Sequence, residues 1–358
     1  MRYVLRTRYD DDFRLISHGN QAFWYAMLGI ALLAAPLLLP EYQVKQLVLI
    51  AIYGIAGLGL LLLSGFTGQI SLGQAAFLGV GAYAEAIMAG LGWPLPVSLA
   101  CTVLLSALTG ALVGLPALRM RGMYLAIATL ALGAIVEEVL ARWESVTGGN
   151  SGLTVPAPSL AGLPVATTAG FYYLCTGIAA VCTLLVLNLL RTPTGRAFVA
   201  IRDSEVSAQA MGIHLARYKT LSFAISAGLT GLSGALYAHM LRYVSPEQFT
   251  VVQSIELVMM VCVGGLASVR GAFFGAAVLI ALPPLIGALS SRLPPSLATA
   301  AGLQPVLFGT VLILLLLFEP QGLAGIWQKV RTYLELFPVY RRGMLKRTRA
   351  FRKSERLA

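Results

Sequence analysis

The chain has 358 residues, of which 58% are hydrophobic and only 11% charged. A soluble domain carries about 25% charged residues, so this composition excludes an ordinary water-soluble globule and points to lipid as the solvent. The formal net charge of +11 does not require a nucleic acid, because most of it sits in the two terminal segments, where Lys and Arg hold topology and attract anionic headgroups.

Taken in chain order, apolar runs predict membrane-spanning helices near 22–39, 46–63, 72–90, 95–115, 123–140, 169–190, 220–241, 253–269, 271–290 and 303–319. Backbone polar groups must be satisfied internally in lipid, and these runs are too long and too little alternating for barrel strands. The expected fold is an all-α integral membrane protein of about ten transmembrane helices. With the N-terminus inside, the outer segments hold only Lys45, Arg142, Arg242 and Arg292, leaving 22 of the 26 Lys and Arg inside. That bias fits the positive-inside rule and places both termini in the cytoplasm. The expected division is a basic tail at 1–21, a membrane domain at 22–319 with a polar loop at 191–219, and a basic tail at 320–358. The first apolar run follows about 21 polar residues without a convincing small-residue cleavage site, so it reads as a retained helix and not a signal peptide.

No catalytic constellation emerges. His18, His214 and His239 are scattered, and Cys101, Cys175, Cys182 and Cys262 fall within spans at spacings that suit neither a disulfide framework nor zinc. No Gly-Lys pair occurs, so a Walker A loop is missing, and any ATPase would be a separate polypeptide. The expectation is a chain with no cofactor, no metal and no nucleic-acid partner.

The segment SGFTGQISLGQAAFLGVGAY, Ser64 to Tyr83, sets five glycines around Gln69, Ser71 and Gln74. It can present polar groups to a pathway or merely allow tight helix packing. A second stretch, VGGLASVRGAFFGAA from Val263, matches it at Gly68/Gly265, Ser71/Ser268, Ala75/Ala272 and Phe77/Phe274, which is a repeat or a coincidence of small residues. Pro283-Pro284 should interrupt the ninth span. Glu85 lies deeper in a span than the other acids, as a functional site or as a carboxyl that snorkels or is protonated. On the outside, TGGNSGL, with Thr147, Gly148, Gly149 and Asn150, implies tight turns that either meet a partner or only connect helices. In the long inner loop, Asp203 or Ser204 can cap a short helix that Gly212 ends. Val206, Ala210 and Ile213 would share one face, flanked by Arg196, Arg202, Arg217 and Lys219. Such a helix fits a groove on a cytosolic protein or lies on the membrane surface; the mix Arg202, Asp203, Glu205 favours protein.

Five motifs in order carry a family resemblance: the glycine segment above, LRMRGMYLAIATLALGAIVEEV from Leu118, TGGNSGL, GRAFVAIRDSEVSAQAMGI with RYKTLSF, and YVSPEQF followed by SIELVMMVCVGGLAS. Over roughly Gln46 to Pro320 the chain resembles permease subunits of branched-chain amino acid (Liv-type) ABC importers, in particular the LivM-like member of the pair. The resemblance implies a type II importer-like fold, a second homologous permease, two ATPases that use ATP, and a periplasmic solute-binding protein. It implies ATPase coupling through Arg196, Arg202, Asp203, Glu205 and Gly212, and an inner-membrane location. Gln69, Ser71, Gln74 and Glu85 are the candidates for the translocation path, and Thr147 to Asn150 for the loop facing the binding protein. Met123, where a polar residue is expected, and Ser207, where alanine is usual, depart from the pattern. Similar permeases for urea, short amides or aromatic acids remain open, as does an ion-coupled carrier using Glu85; a membrane enzyme is disfavoured by the lack of clustered His, Cys or carboxylates.

Overall fold

The computed structural model describes residues 19–118, 120, 122–158, 165–266, 268–290, 303–319 and 322–336. Each of the ten predicted spans coincides with a helix: α1 (Gly19–Leu38), α2 (Glu41–Leu60), α3 (Gln74–Gly90), α4 (Leu95–Ala117) and α5 (Met123–Arg142) come first. After a short α6 (Glu144–Thr147) and strand β1 (Leu153–Thr154) comes α7 (Thr168–Arg191). The long polar loop then folds as two short helices, α8 (Pro193–Asp203) and α9 (Glu205–Ala210), joined at Ser204 in an elbow. The chain continues through α10 (Leu215–Leu241), β2 (Tyr243–Val244), α11 (Val251–Gly264), α12 (Val269–Ser290), α13 (Leu303–Phe318) and α14 (Gly322–Leu336). Among the described residues, seven helical segments are long and apolar enough to cross a membrane.

The helices are not equivalent. Burial inside the protein reaches 78% for the span that contains α2 and 67% for α10, against 28% for α4 and α5 and 22% for α7. So α2 and α10, with the largely buried α3, form the centre, and α4, α5 and α7 face lipid or a partner over much of their surface. Helix α10 packs on α2, α3 and α4, while α2 also meets α7 and α12. Between such helices hydrophobicity drives little, so close approach through small residues decides the packing. A Cβ on Gly81 would fall 2.1 Å from the carbonyl oxygen of Gly231, and one on Gly234 would fall 2.0 Å from that of Leu78. Side chains are excluded at both crossings, and the backbones of α3 and α10 touch.

On one side of the bundle, β1 and β2 pair antiparallel with Leu153 opposite Val244; this is called here the bridge side. The elbow lies at the opposite ends of α2, α3 and α10. Beyond 320, α14 places its Trp327 ring 6.1 Å from that of Phe274. Two expectations are corrected. The inner loop holds two helices instead of one, because Thr192 also acts as a cap, accepting from the Gly195 backbone N–H. And α12 runs unbroken through Pro283 and Pro284. A proline removes one N–H and unpairs one carbonyl, which membrane helices tolerate where neighbours close over the gap; both prolines line a recess shared with Tyr42 and Lys45 of α2. Residues 1–18 and 337–358 of the expected tails lie outside the described residues.

Candidate functional site: a broken helix end beside the elbow

Helix α2 does not end cleanly. It loosens into a π-helical turn at Leu61–Phe66, after which residues 67–73 are non-helical until α3 begins at Gln74. Such turns leave backbone groups without helical partners, and here specific residues supply them. Thr67 donates to the Leu62 carbonyl through both its N–H and its Oγ1, at 3.2 and 3.0 Å. The Gln69 N–H reaches the Leu63 carbonyl at 3.0 Å, and Ser64 Oγ donates to the Gln69 carbonyl at 3.1 Å. Gly68 takes φ +73°, a conformation that glycine adopts at no steric cost.

The start of α3 is held from other helices. The Leu72 N–H donates to Thr129 Oγ1 of α5 and the Ala75 N–H to Ser254 Oγ of α11, each at 2.9 Å. Gln74 is fully buried; its Nε2 donates to Ser226 Oγ at 3.2 Å, and its Oε1 accepts from Thr230 Oγ1 at 3.1 Å, both on α10. Gln69 and Ser71 differ. They are 5% and 0% exposed, yet Gln69 Oε1, Gln69 Nε2 and Ser71 Oγ have no hydrogen-bond partner. A buried polar group left unsatisfied costs about 1–3 kcal/mol, so its retention calls for a reason. Of the candidate pathway residues, then, Gln74 is a joint between α3 and α10, while Gln69 and Ser71 keep their hydrogen-bonding capacity in the broken turn.

The elbow abuts that turn. Ser204 caps α9 by accepting from the Ser207 N–H, Pro193 occupies the first turn of α8, and Gly212 at φ +83° follows the last turn. Phe198 is fully buried, its ring edge-on to Tyr218 of α10 at 6.3 Å. Arg202 donates from Nη1 to the Gly65 carbonyl at 3.2 Å and from Nε and Nη2 to Asp203 Oδ1 at 3.1 and 3.0 Å. Glu205 accepts from Lys219 Nζ at 2.6 Å, and that lysine is only 4% exposed. Arg196 reaches the Arg191 carbonyl. Arg202, Glu205 and Lys219 are thus engaged with the chain itself, while Arg196, Asp203 and Arg217 are exposed. Among the apolar side chains of the elbow, Val206 and Met211 project outward, 73% and 82% exposed, whereas Ala208 is buried and Ile213 half-buried.

Towards the bridge side, Glu85 is fully buried. Its Oε1 accepts from Ser98 Oγ at 2.6 Å and faces His239 Nε2 at 2.9 Å, and its Oε2 accepts from Thr102 Oγ1 at 3.2 Å. The carboxyl therefore joins α3, α4 and α10. At the bridge itself, buried Thr147 donates to the carbonyls of Leu140 and Trp143, both at 2.7 Å. Gly148 and Gly149 take φ +70° and +59°, and Asn150 is exposed. The Tyr243 hydroxyl donates to the Ser151 carbonyl at 2.8 Å, so the TGGNSGL and YVSPEQF motifs meet in one folded unit. The two glycine-rich stretches meet as well: a Cβ on Gly65 would lie 1.9 Å from the Leu266 carbonyl oxygen, and Gly265, like its sequence match Gly68, has positive φ.

Reading the sequence alone misses Thr129, Ser226, Thr230, Ser254, Ser98 and Thr102. Ser98 and Thr102, like Ser226 and Thr230, stand one turn apart on a single helix face, and a buried Gln or Glu must find partners somewhere; these were the signals available. Met123, the departure after Arg-Gly, opens α5 and is 77% exposed.

Comparison with known proteins agrees with this architecture. A family described as the permease component of branched-chain amino acid transport systems matches residues 43–318. The chain is 33% identical to the high-affinity branched-chain amino acid transport system permease protein LivM of Escherichia coli, over 85% of this chain and 75% of that one. The probable LivH permease of Methanocaldococcus jannaschii is 29% identical over 59% of this chain and 67% of its own length. The autoinducer 2 import system permease LsrC of an Enterobacter species is 26% identical over 59% of this chain and 61% of its own length. No solved structure matches. With its bundle of apolar helices, this multi-pass membrane protein belongs to the family of branched-chain amino acid transport system permease components.

Proposed function

We propose that the chain is the LivM-like permease subunit of an ATP-driven importer and forms part of the path for branched-chain or related amino acids. It works beside a second homologous permease, with two separate ATPase subunits consuming ATP and a periplasmic binding protein delivering the solute. It resides in the inner membrane with both termini cytoplasmic, the basic segments 1–21 and 320–358 flanking the membrane domain 22–319. The chain carries no ATPase site and needs no cofactor of its own. One juxtaposition supports the reading most: the buried, unpartnered polar groups of Gln69 and Ser71 lie in the turn against which the elbow rests. An amino acid zwitterion crossing a low-dielectric interior needs hydrogen-bonding groups that are free to receive it and weak enough to release it. The elbow, residues 191–219, offers exposed Val206 and Met211 to a groove on the ATPase, and the loop at Thr147 to Asn150 faces the binding protein.

A second reading, an ion-coupled carrier, rests on the buried Glu85–His239 pair. Its contacts to three helices favour a joint over a mobile proton site. The two readings separate in one experiment. The chain is purified from its native cells in mild detergent, its companions are identified, and uptake is assayed in proteoliposomes. Co-purified ATPases and ATP-dependent uptake of leucine, isoleucine or valine are expected. Uptake by the chain alone, driven by an ion gradient, would overturn the proposal in favour of the carrier.

A further inference from the structure

The elbow's most conspicuous cation does not point at a motor. We infer that Arg202 is a positioning residue that fastens the elbow to the broken end of α2, so that movement of the elbow is delivered to the turn bearing Gln69 and Ser71. The inference rests on the permease reading above and adds to it the route by which motion reaches the polar turn.

Four observations carry it. The guanidinium is held from two sides, by the Gly65 carbonyl through Nη1 and by Asp203 Oδ1 through Nε and Nη2; a planar fork gripped in this way keeps its orientation where an ammonium would swivel. The contact is also one of backbones: a Cβ on Gly68 would lie 3.0 Å from Arg202 Cγ, 3.3 Å from its Cα and 3.4 Å from its Cβ. Gly65 in turn is wedged against the Leu266 carbonyl, so the turn that Arg202 grips has no slack on its far side. Finally, across the Ser204 corner, Glu205 grips Lys219 of α10, the helix whose Ser226 and Thr230 hold Gln74. The two fastenings reach the segment 69–74 by separate routes, one from each of its ends.

Because about a third of the Arg202 side chain remains exposed, its loss should leave the fold standing, which separates positioning from stability. The test uses the complete transporter, this chain with its permease and ATPase partners, in proteoliposomes. The readouts are solute moved per ATP hydrolysed and retention of the ATPases. Arg202→Ala should keep the ATPases bound and hydrolysing while solute per ATP falls roughly 2- to 30-fold, the range over which residues in a coupling network act; Arg202→Lys should recover part of it. The inference is overturned if Arg202→Ala releases the ATPases, since the residue would then be a docking contact. It is equally overturned if solute per ATP is unchanged. Absence of any ATPase from the wild-type preparation would overturn the function itself and not only this route.

Discussion

The two ends of the helix bundle treat their polar groups in opposite ways. On the bridge side, the candidate residues are tied in: Glu85 has three partners from two other helices and Thr147 donates to two carbonyls, and the open atoms belong to their neighbours, His239 Nδ1 and the Tyr83 hydroxyl. On the elbow side, Gln69 and Ser71 are just as buried but keep open valences, and the neighbouring contacts run to helices at the surface. Polarity in a membrane interior thus has two uses. Fully satisfied, it locks helices together; left partly unsatisfied next to a part that can be pushed, it is available to a solute.

The sharpest way to break this comparison is at Glu85. Replacement by alanine strands Thr102 and His239 in an apolar surround and leaves Ser98 only the Leu95 carbonyl, and breaking such a buried cluster should cost about 3–5 kcal/mol. Thermal unfolding in detergent should show this as severe loss of folded protein, with Glu85→Gln clearly milder. Equal stability of the two variants would mean that the cluster is not a lock. Next comes the contrast between the two glutamines. Gln74→Leu forfeits two internal hydrogen bonds and leaves Ser226 Oγ without that donor, a loss of about 1–3 kcal/mol. Gln69→Leu removes polar atoms that have no partner and should be neutral or stabilising, while uptake falls. Uptake unaffected by Gln69→Leu would remove that residue from the path.

A smaller effect is expected at Thr147→Val, about 0.5–1.5 kcal/mol from the lost donor, measured by the same unfolding assay. Smallest in stability is Asn150→Ala, within about 0.5 kcal/mol because the side chain is exposed. If that loop faces the binding protein, this variant should nevertheless weaken uptake supplied by the binding protein. Normal dependence on binding-protein concentration would assign the loop to folding alone.

The legibility of the sequence divides along similar lines. Gly212 ends α9 as its position suggests, and Ser204, one of two candidates, is the cap. These are local signals, since a cap or a left-handed turn is read within four residues. The other cap, Thr192, stands directly before Pro193, and Ala197, Phe198 and Ile201 bury one face of α8; these signals are equally local, yet the sequence reading takes in only the second helix. The elbow charges were legible as a constellation but not in their direction. Nothing in Arg202-Asp203-Ser204-Glu205 tells that the arginine finds Gly65, 137 positions earlier, or that the glutamate finds Lys219. The proline pair misled because its penalty depends on the surroundings of the unpaired carbonyls, which only the fold supplies; here both prolines line a recess against α2.

By itself the sequence determined the ten helices and the long polar segment. Both follow from transfer of contiguous side chains and backbone between water and lipid, a free energy that accumulates along the chain and ignores what lies across the bundle. Only the tertiary structure decided which polar groups are locks and which are free. Gln69 and Gln74 are five residues apart and equally buried, yet one meets Ser226 and Thr230 and the other meets nothing. The difference is set by where α10 crosses α3, and that crossing is fixed by backbone contact at Gly81 and Gly231, 150 positions apart.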